Sequence, residues 1–289
     1  MRIVLSRLFY YPIIMKKLFL FFVTLLVIHP LFGEDNLTST DLKSIHDFMN
    51  YRPVLTANSP EENITLIQQY KESLNLEENK SQFSEQGYLV LETLLISEEF
   101  NYYYEIDEKH PALKDLVIPH NKKLEQWIKN HSKEEISSWL YVSAGDLLSC
   151  SMGLYSIPKA MEIGLEVKDY YTKALEKNPN MSFANLNMAQ WYFHAPAIGG
   201  GSKKKANELF LIALKNASGK GEEFYTNLIY SQFLFDQKDN DKALVYFNRA
   251  VDLQPNSKKT DFLKLLNDNG YTLFYYTLNR EKVEKKLGI

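Results

Sequence analysis

The sequence predicts an all-α protein built as a tetratricopeptide-like array of helical hairpins, an α-solenoid of about 10–12 helices behind a cleaved signal peptide. Three observations carry this. Apolar residues recur at spacings of three and four almost throughout, and hardly any stretch alternates with the period of two that a half-buried strand needs. A helix pair is written twice between Ser182 and Asn256. The turns between periodic segments are short, as in helical arrays.

The duplication is explicit. Phe183-Ala-Asn-Leu-Asn-Met-Ala-Gln-Trp-Tyr-Phe-His194 is echoed by Tyr225-Thr-Asn-Leu-Ile-Tyr-Ser-Gln-Phe-Leu-Phe-Asp236, an offset of 42 residues. Each copy is followed by a second helix of the form Ala-x3-Phe-x2-Ala: Ala206, Phe210 and Ala213, then Ala243, Phe247 and Ala250, an offset of 37. The first copy therefore carries five extra residues, which fall in the loop from Ala195 to Gly201. Counting Phe224 as position 1, Ala243, Phe247, Ala250 and Pro255 fall at 20, 24, 27 and 32, the tetratricopeptide spacing. Small residues at Ser231 and Ala243 allow the two helices to approach closely, and Pro255 ends the unit. Val167, Tyr171, Ala174 and Pro179 read as an earlier second helix of the same kind.

The elements follow in order. Met15-Lys16-Lys17 opens an apolar run from Leu18 to Ile28, followed by Gly33 and acidic Glu34-Asp35. This is the grammar of a secretory signal over residues 1–33, with Met15 as the better start, and the run is short for a membrane span. An uncleaved N-terminal anchor is the competing reading. Residues 34–289 read as one body: N-terminal helices over 34–150, repeat units over 151–256 and terminal helices over 257–289. Asp41 to Tyr51 reads as a helix stopped by Pro53. Ser59-Pro60-Glu61-Glu62 is a helix start with a capping serine and acids at the positive dipole end. Ser81–Ile96 reads as a helix, with Glu98–Asp107 a separate acidic and aromatic stretch whose plainest reading is a solvated face. His110 to Pro119 looks irregular, and His120–His131 and Lys133–Ser151 read as helices. Asn256 onward gives one or two more.

Composition excludes some functions. Without residues 1–33 the chain has 29 Lys/Arg against 36 Asp/Glu, a net charge of −7, which argues against nucleic acid. One cysteine, Cys150, in an apolar helix reads as a structural thiol that cannot form an internal disulfide. No cysteine follows the signal to carry a lipid, so the expected location is the periplasm without a lipid anchor. No two histidines stand at metal-ligand spacing, and no nucleophile elbow is present. Gly199-Gly200-Gly201-Ser202-Lys203 lacks the order and the preceding strand of a phosphate loop. The reading is non-enzymatic, with no cofactor and no metal.

In tetratricopeptide arrays the first helix of each unit lines the inner face. The residues expected there to bind a ligand or partner are Phe183, Gln190, Phe193, His194, Tyr225, Gln232, Phe235 and Asp236. An aromatic wall with two glutamines suits a small, partly hydrophobic guest. A closed aromatic core is the competing reading.

The segment Pro196-Ala-Ile-Gly-Gly-Gly-Ser-Lys-Lys-Lys-Ala206 with Phe210, Ala213 and Leu214, the run Val167–Pro179, Ala217–Lys220 and Trp139 together resemble the T-component of TRAP transporters, the TatT-like proteins. The resemblance is best over residues 133–256. It implies a periplasmic helical protein that associates with an extracytoplasmic solute-binding protein, serves uptake of small hydrophobic ligands and forms a homo-oligomer, a trimer. Many members are lipid-anchored, and this chain departs from that pattern. A generic tetratricopeptide adaptor that binds a peptide or scaffolds an envelope complex is the alternative.

Overall fold

A computed structural model describes residues 36–289. The expected signal peptide lies outside the described residues. The described chain holds fourteen α-helices and no strand. They are α1 (Ser39–Leu55), α2 (Pro60–Asn75), α3 (Glu77–Lys80), α4 (Glu85–Ile106), α5 (Ala112–Lys129), α6 (Ser138–Cys150), α7 (Ile157–Lys177), α8 (Ser182–His194), α9 (Lys203–Asn216), α10 (Gly219–Asp236), α11 (Asn240–Leu253), α12 (Lys258–Asp268), α13 (Leu273–Leu278) and α14 (Arg280–Leu287). Consecutive helices pack as hairpins: α6 with α7, α8 with α9, and α10 with α11.

The duplicated stretch forms the last two of these hairpins. Ala206, Phe210 and Ala213 of α9 are buried, and so are Ala243, Phe247 and Ala250 of α11. Alanines at the crossing let the backbones close up, and each phenylalanine fills the space beside them. The five extra residues form a turn of 3-10 helix at Ala197–Gly199 and a tight exit into α9. Gly200 adopts a left-handed conformation, φ +94°. A Cβ on Gly201 would lie 1.8 Å from the carbonyl oxygen of Ala195. Glycine is required at both places by geometry. Ser202 then caps α9 by accepting from the Lys205 amide.

Helix boundaries differ from the sequence reading where proline or acids suggested breaks. α1 continues through Pro53 to Leu55, because Pro53 sits in the last turn with its ring buried, where one lost backbone bond costs little. α5 runs through Pro119, held on both sides by buried Leu113, Val117, His120 and Leu124. α4 is a single helix of 22 residues joining two stretches read as separate. The C-terminal tail makes three helices rather than one or two.

The main departure concerns Glu98 and Glu99. They do not lie on a solvated face: only 4% and 2% of their surfaces are exposed. Arg52 of α1 pairs with Glu98 at 2.7 Å, and Lys71 of α2 pairs with Glu99 at 2.7 Å, while Gln68 Nε2 donates to Glu99 at 2.9 Å. Nearer its C-terminus, α4 is tied by Lys259 of α12 to Glu105 at 2.9 Å and by Arg280 of α14 to the carbonyls of Tyr104 and Glu105 at 2.7 and 2.8 Å. The acidic half of α4 is thus a central post clamped by cations from four helices. Burying those carboxylates is tolerable because each has a charged partner.

Candidate binding site

Successive first helices α6, α8 and α10 present one face, and the N-terminal helix α1 lies across it. His46 meets Trp139 of α6 edge to face, ring centroids 5.6 Å apart. Trp139 stacks in turn on Phe183 of α8 at 6.1 Å. Gly221 of α10 donates its N–H to Asn50 Oδ1 at 3.0 Å. Lys258 N–H donates to the carbonyl of Thr56 at 2.8 Å, tying the end of α1 to the start of α12.

At the C-terminal end of α1, Arg52 sits between the two copies of the repeat. Its guanidinium carbon lies 4.5 Å from the Tyr225 ring and 5.9 Å from the Phe183 ring. These are the equivalent aromatic positions of the duplicated sequence, now holding one cation between them. Nε donates to Glu98, while among the described residues Nη1 meets only the thioether of Met49 at 3.8 Å. Burial works against the Arg52 charge, but Glu98, Tyr225 and Asp146 outweigh it and keep it firmly protonated. Asp146 of α6 faces the same cluster. Burial pushes its carboxyl up to about 6, with Arg52 opposing and Glu98 adding to the rise. Burial also raises the phenol of Tyr225 to about 12 and puts the half-buried Cys150 thiol well above its usual range. One turn beyond Phe183, Asn187 is buried with its Nδ2 amide unpartnered, and its Oδ1 accepts from Gln190 at 3.3 Å. Buried amides are almost always satisfied; Ser44 Oγ, Ser97 Oγ and Asn227 Oδ1 are likewise buried without a partner among the described residues.

The predicted residues therefore fall into two groups. Phe183, Tyr225 and Gln190 belong to the face around Arg52, with Phe183 buried and Tyr225 and Gln190 half-buried. Phe193, His194, Gln232, Phe235 and Asp236 lie toward the other end, where α12 and α13 cover the array. Gln232 is fully buried: Nε2 donates to Asn267 at 2.9 Å and Oε1 accepts from the Leu273 amide at 3.1 Å. Phe193 packs 4.6 Å from Phe274 and 5.4 Å from Phe233. His194 is exposed along one edge and lies 4.8 Å from Phe274; the surrounding protein lowers its pKa against the pull of Asp236. Phe235 is half-buried in the same apolar cluster, and Asp236 pairs with Lys203 at 3.2 Å. The two identical glutamines thus do different jobs. The open inner groove expected along all eight residues is closed at this second end by the chain's own C-terminal segment.

Arg52 and Asp146 escaped the sequence reading because the groups they face lie on distant helices, and Asn187 because nothing local marks its amide as unpartnered. A buried polar pair elsewhere, Thr93 and His120 at 2.9 Å, is structural: Thr93 donates to the Leu89 carbonyl at 2.6 Å, and burial lowers the imidazole to about 4. Among the described residues no group of three His, Cys, Asp or Glu could hold a metal ion. No protein-family model matches this chain, and no curated protein matches it.

Asp146 gives the cluster a pH signature. Its folded pKa of about 6 lies above the ordinary 3.8, so the folded state binds this proton more tightly. The stability it contributes is present at low pH and is lost as pH rises through about 6. Urea midpoints of the wild type and Asp146→Asn, measured from pH 4.5 to 7, should diverge: the wild type loses ground to the variant as pH rises. Parallel curves would contradict this placement of Asp146.

Proposed function

We propose that this chain is a non-catalytic, periplasmic accessory component of a TRAP-type solute uptake system. It binds an extracytoplasmic solute-binding protein and holds a small, partly hydrophobic ligand against the face of α6, α8 and α10. The observation that carries the reading is the Arg52 cluster. Two equivalent repeat aromatics flank a cation whose Nη1 has only a sulfur partner among the described residues, and the orphaned amide of Asn187 lies one turn along α8 from Phe183. Such an arrangement of apolar walls and a few placed donors suits binding. The tetratricopeptide pattern of residues 180–256 and the Pro196–Ala206 segment support the family reading, and a homotrimer belongs to the same proposal. Capture of the tagged chain from its native envelope tests it: a solute-binding or permease subunit should be recovered, and its absence counts against the proposal.

One observation favours a second reading, a tetratricopeptide adaptor for a peptide. The face already accepts a helix, α1, of its own chain. An adaptor would recover secretion or outer-membrane assembly proteins in the same capture instead.

A further inference from the structure

The opposite side of the array carries an exposed apolar line that nothing among the described residues covers. Ile157, Met161 and Leu165 follow one another at every fourth residue of α7, with 79%, 55% and 59% of their surfaces exposed. Lys168 continues the line one turn further. There α7 meets the proline–glycine loop: a Cβ on Gly200 would sit 3.8 Å from Lys168 Nζ and 4.0 Å from the Trp191 ring. The tip of that loop is Ile198, 97% exposed. Large aliphatic side chains at such exposure in a contiguous row mark an interaction surface.

The charges beside it select the partner. Lys203, Lys204 and Lys205 fill the first turn of α9, which contains no acid. Lysines there face the positive end of the helix dipole and disfavour the helix, so local stability does not account for them. Lys203 is held by Asp236, whereas Lys168, Lys204 and Lys205 make no ion pair among the described residues. Lys168 lies 4.6 Å from the Trp191 ring and 5.4 Å from Tyr192, and Lys205 lies 5.3 Å from Tyr192. Of the acids on the flank, Glu162 and Asp169 are paired within α7 with Lys159 and Lys173, and Glu166 makes no ion pair among the described residues. The result is a row of aliphatic tips, then a Trp–Tyr pair, then uncommitted lysines. Aliphatic tips beside interfacial aromatics and lysines are the set of side chains that a bilayer surface accepts.

We propose that this edge docks on an anionic lipid bilayer, with Ile198, Leu165, Met161 and Ile157 entering the headgroup region and Lys168, Lys204 and Lys205 meeting lipid phosphates. A protein partner would need a dedicated socket for a side chain as free-standing as Ile198, and interface anchors are aromatic or Arg more often than Ile. A bilayer needs no socket.

The test places an environment-sensitive fluorophore at position 198 of the full chain (Ile198→Cys with Cys150→Ser). A probe at that position reports only local insertion, whatever the N-terminal apolar run does. It should shift to the blue with vesicles of phosphatidylglycerol and phosphatidylcholine and stay water-exposed with phosphatidylcholine alone. Replacing Lys168, Lys204 and Lys205 by Gln should weaken the response roughly a hundredfold, and Leu165→Asp should weaken it as well, with helical circular dichroism unchanged in both. A probe that stays in water with anionic vesicles, as a protein occupant would leave it, overturns the proposal. So does equal insertion into neutral vesicles, or insertion indifferent to the lysines.

Discussion

Arg52→Ala should destabilise the protein by about 3–5 kcal/mol, the cost of leaving a buried charge without its partner. Glu98 would then stand in the interior without its ion-pair partner, since among the described residues Arg52 supplies the one cation within salt-bridge reach. The same truncation removes the cation between Phe183 and Tyr225, and with it the contact that ties α1 to both repeat copies. Urea unfolding followed by circular dichroism measures the loss. The double variant Arg52→Met with Glu98→Leu sharpens the reading: it should recover most of the stability, because the penalty lies in the orphaned carboxylate rather than in the missing bond. If Arg52→Ala costs less than about 1 kcal/mol, the pair behaves like an exposed one and α1 is not held by it.

Gly221→Ala should have the next largest effect. A Cβ there would lie 1.9 Å from the backbone oxygen of Met49, with no flexible side chain to give way. Either α1 or the first turn of α10 must move, at a cost of about 1–3 kcal/mol. The displacement also stretches the bond from the Gly221 amide to Asn50. Hydrogen exchange should therefore quicken in α1 before the hairpins α8–α9 and α10–α11 respond. Gly153→Ala is the control, because a Cβ there meets nothing within 4 Å. Equal behaviour of the two variants would mean that α1 does not press on α10 as described.

Both predictions concern features the sequence left hidden, and the reason is physical. Helical periodicity and the Ala-x3-Phe-x2-Ala pattern are local, so the hairpins of residues 182–253 could be read directly, and Ala206, Phe210, Ala213, Ala243, Phe247 and Ala250 all lie where the pattern puts them. The loop glycines were legible as an insertion, though not why Gly201 must lack a side chain. Charge pairing is not local. Glu98 and Glu99 look like a wet helix face until Arg52, 46 residues away, and Lys71, 28 residues away, are brought beside them. The same limit hid the covering of the first-helix face. Repetition placed Phe183 and Tyr225 at one position of the unit, and Gln190 and Gln232 at another. It carried no information on which terminal helix would lie over which copy, so one glutamine became a buried tie to α12 and α13 while the other stayed half-open.

We propose that the face around Arg52 holds a small ligand while the chain associates with a transport partner. Native mass spectrometry of the complex captured from its own envelope tests both halves together. The spectrum should show the chain bearing an added small mass, within an assembly that contains a solute-binding subunit, and the added mass should be lost in Asn187→Leu, which occupies the site without disturbing the Arg52–Glu98 pair. A folded chain recovered at its bare mass and alone would rule out both the ligand and the partner.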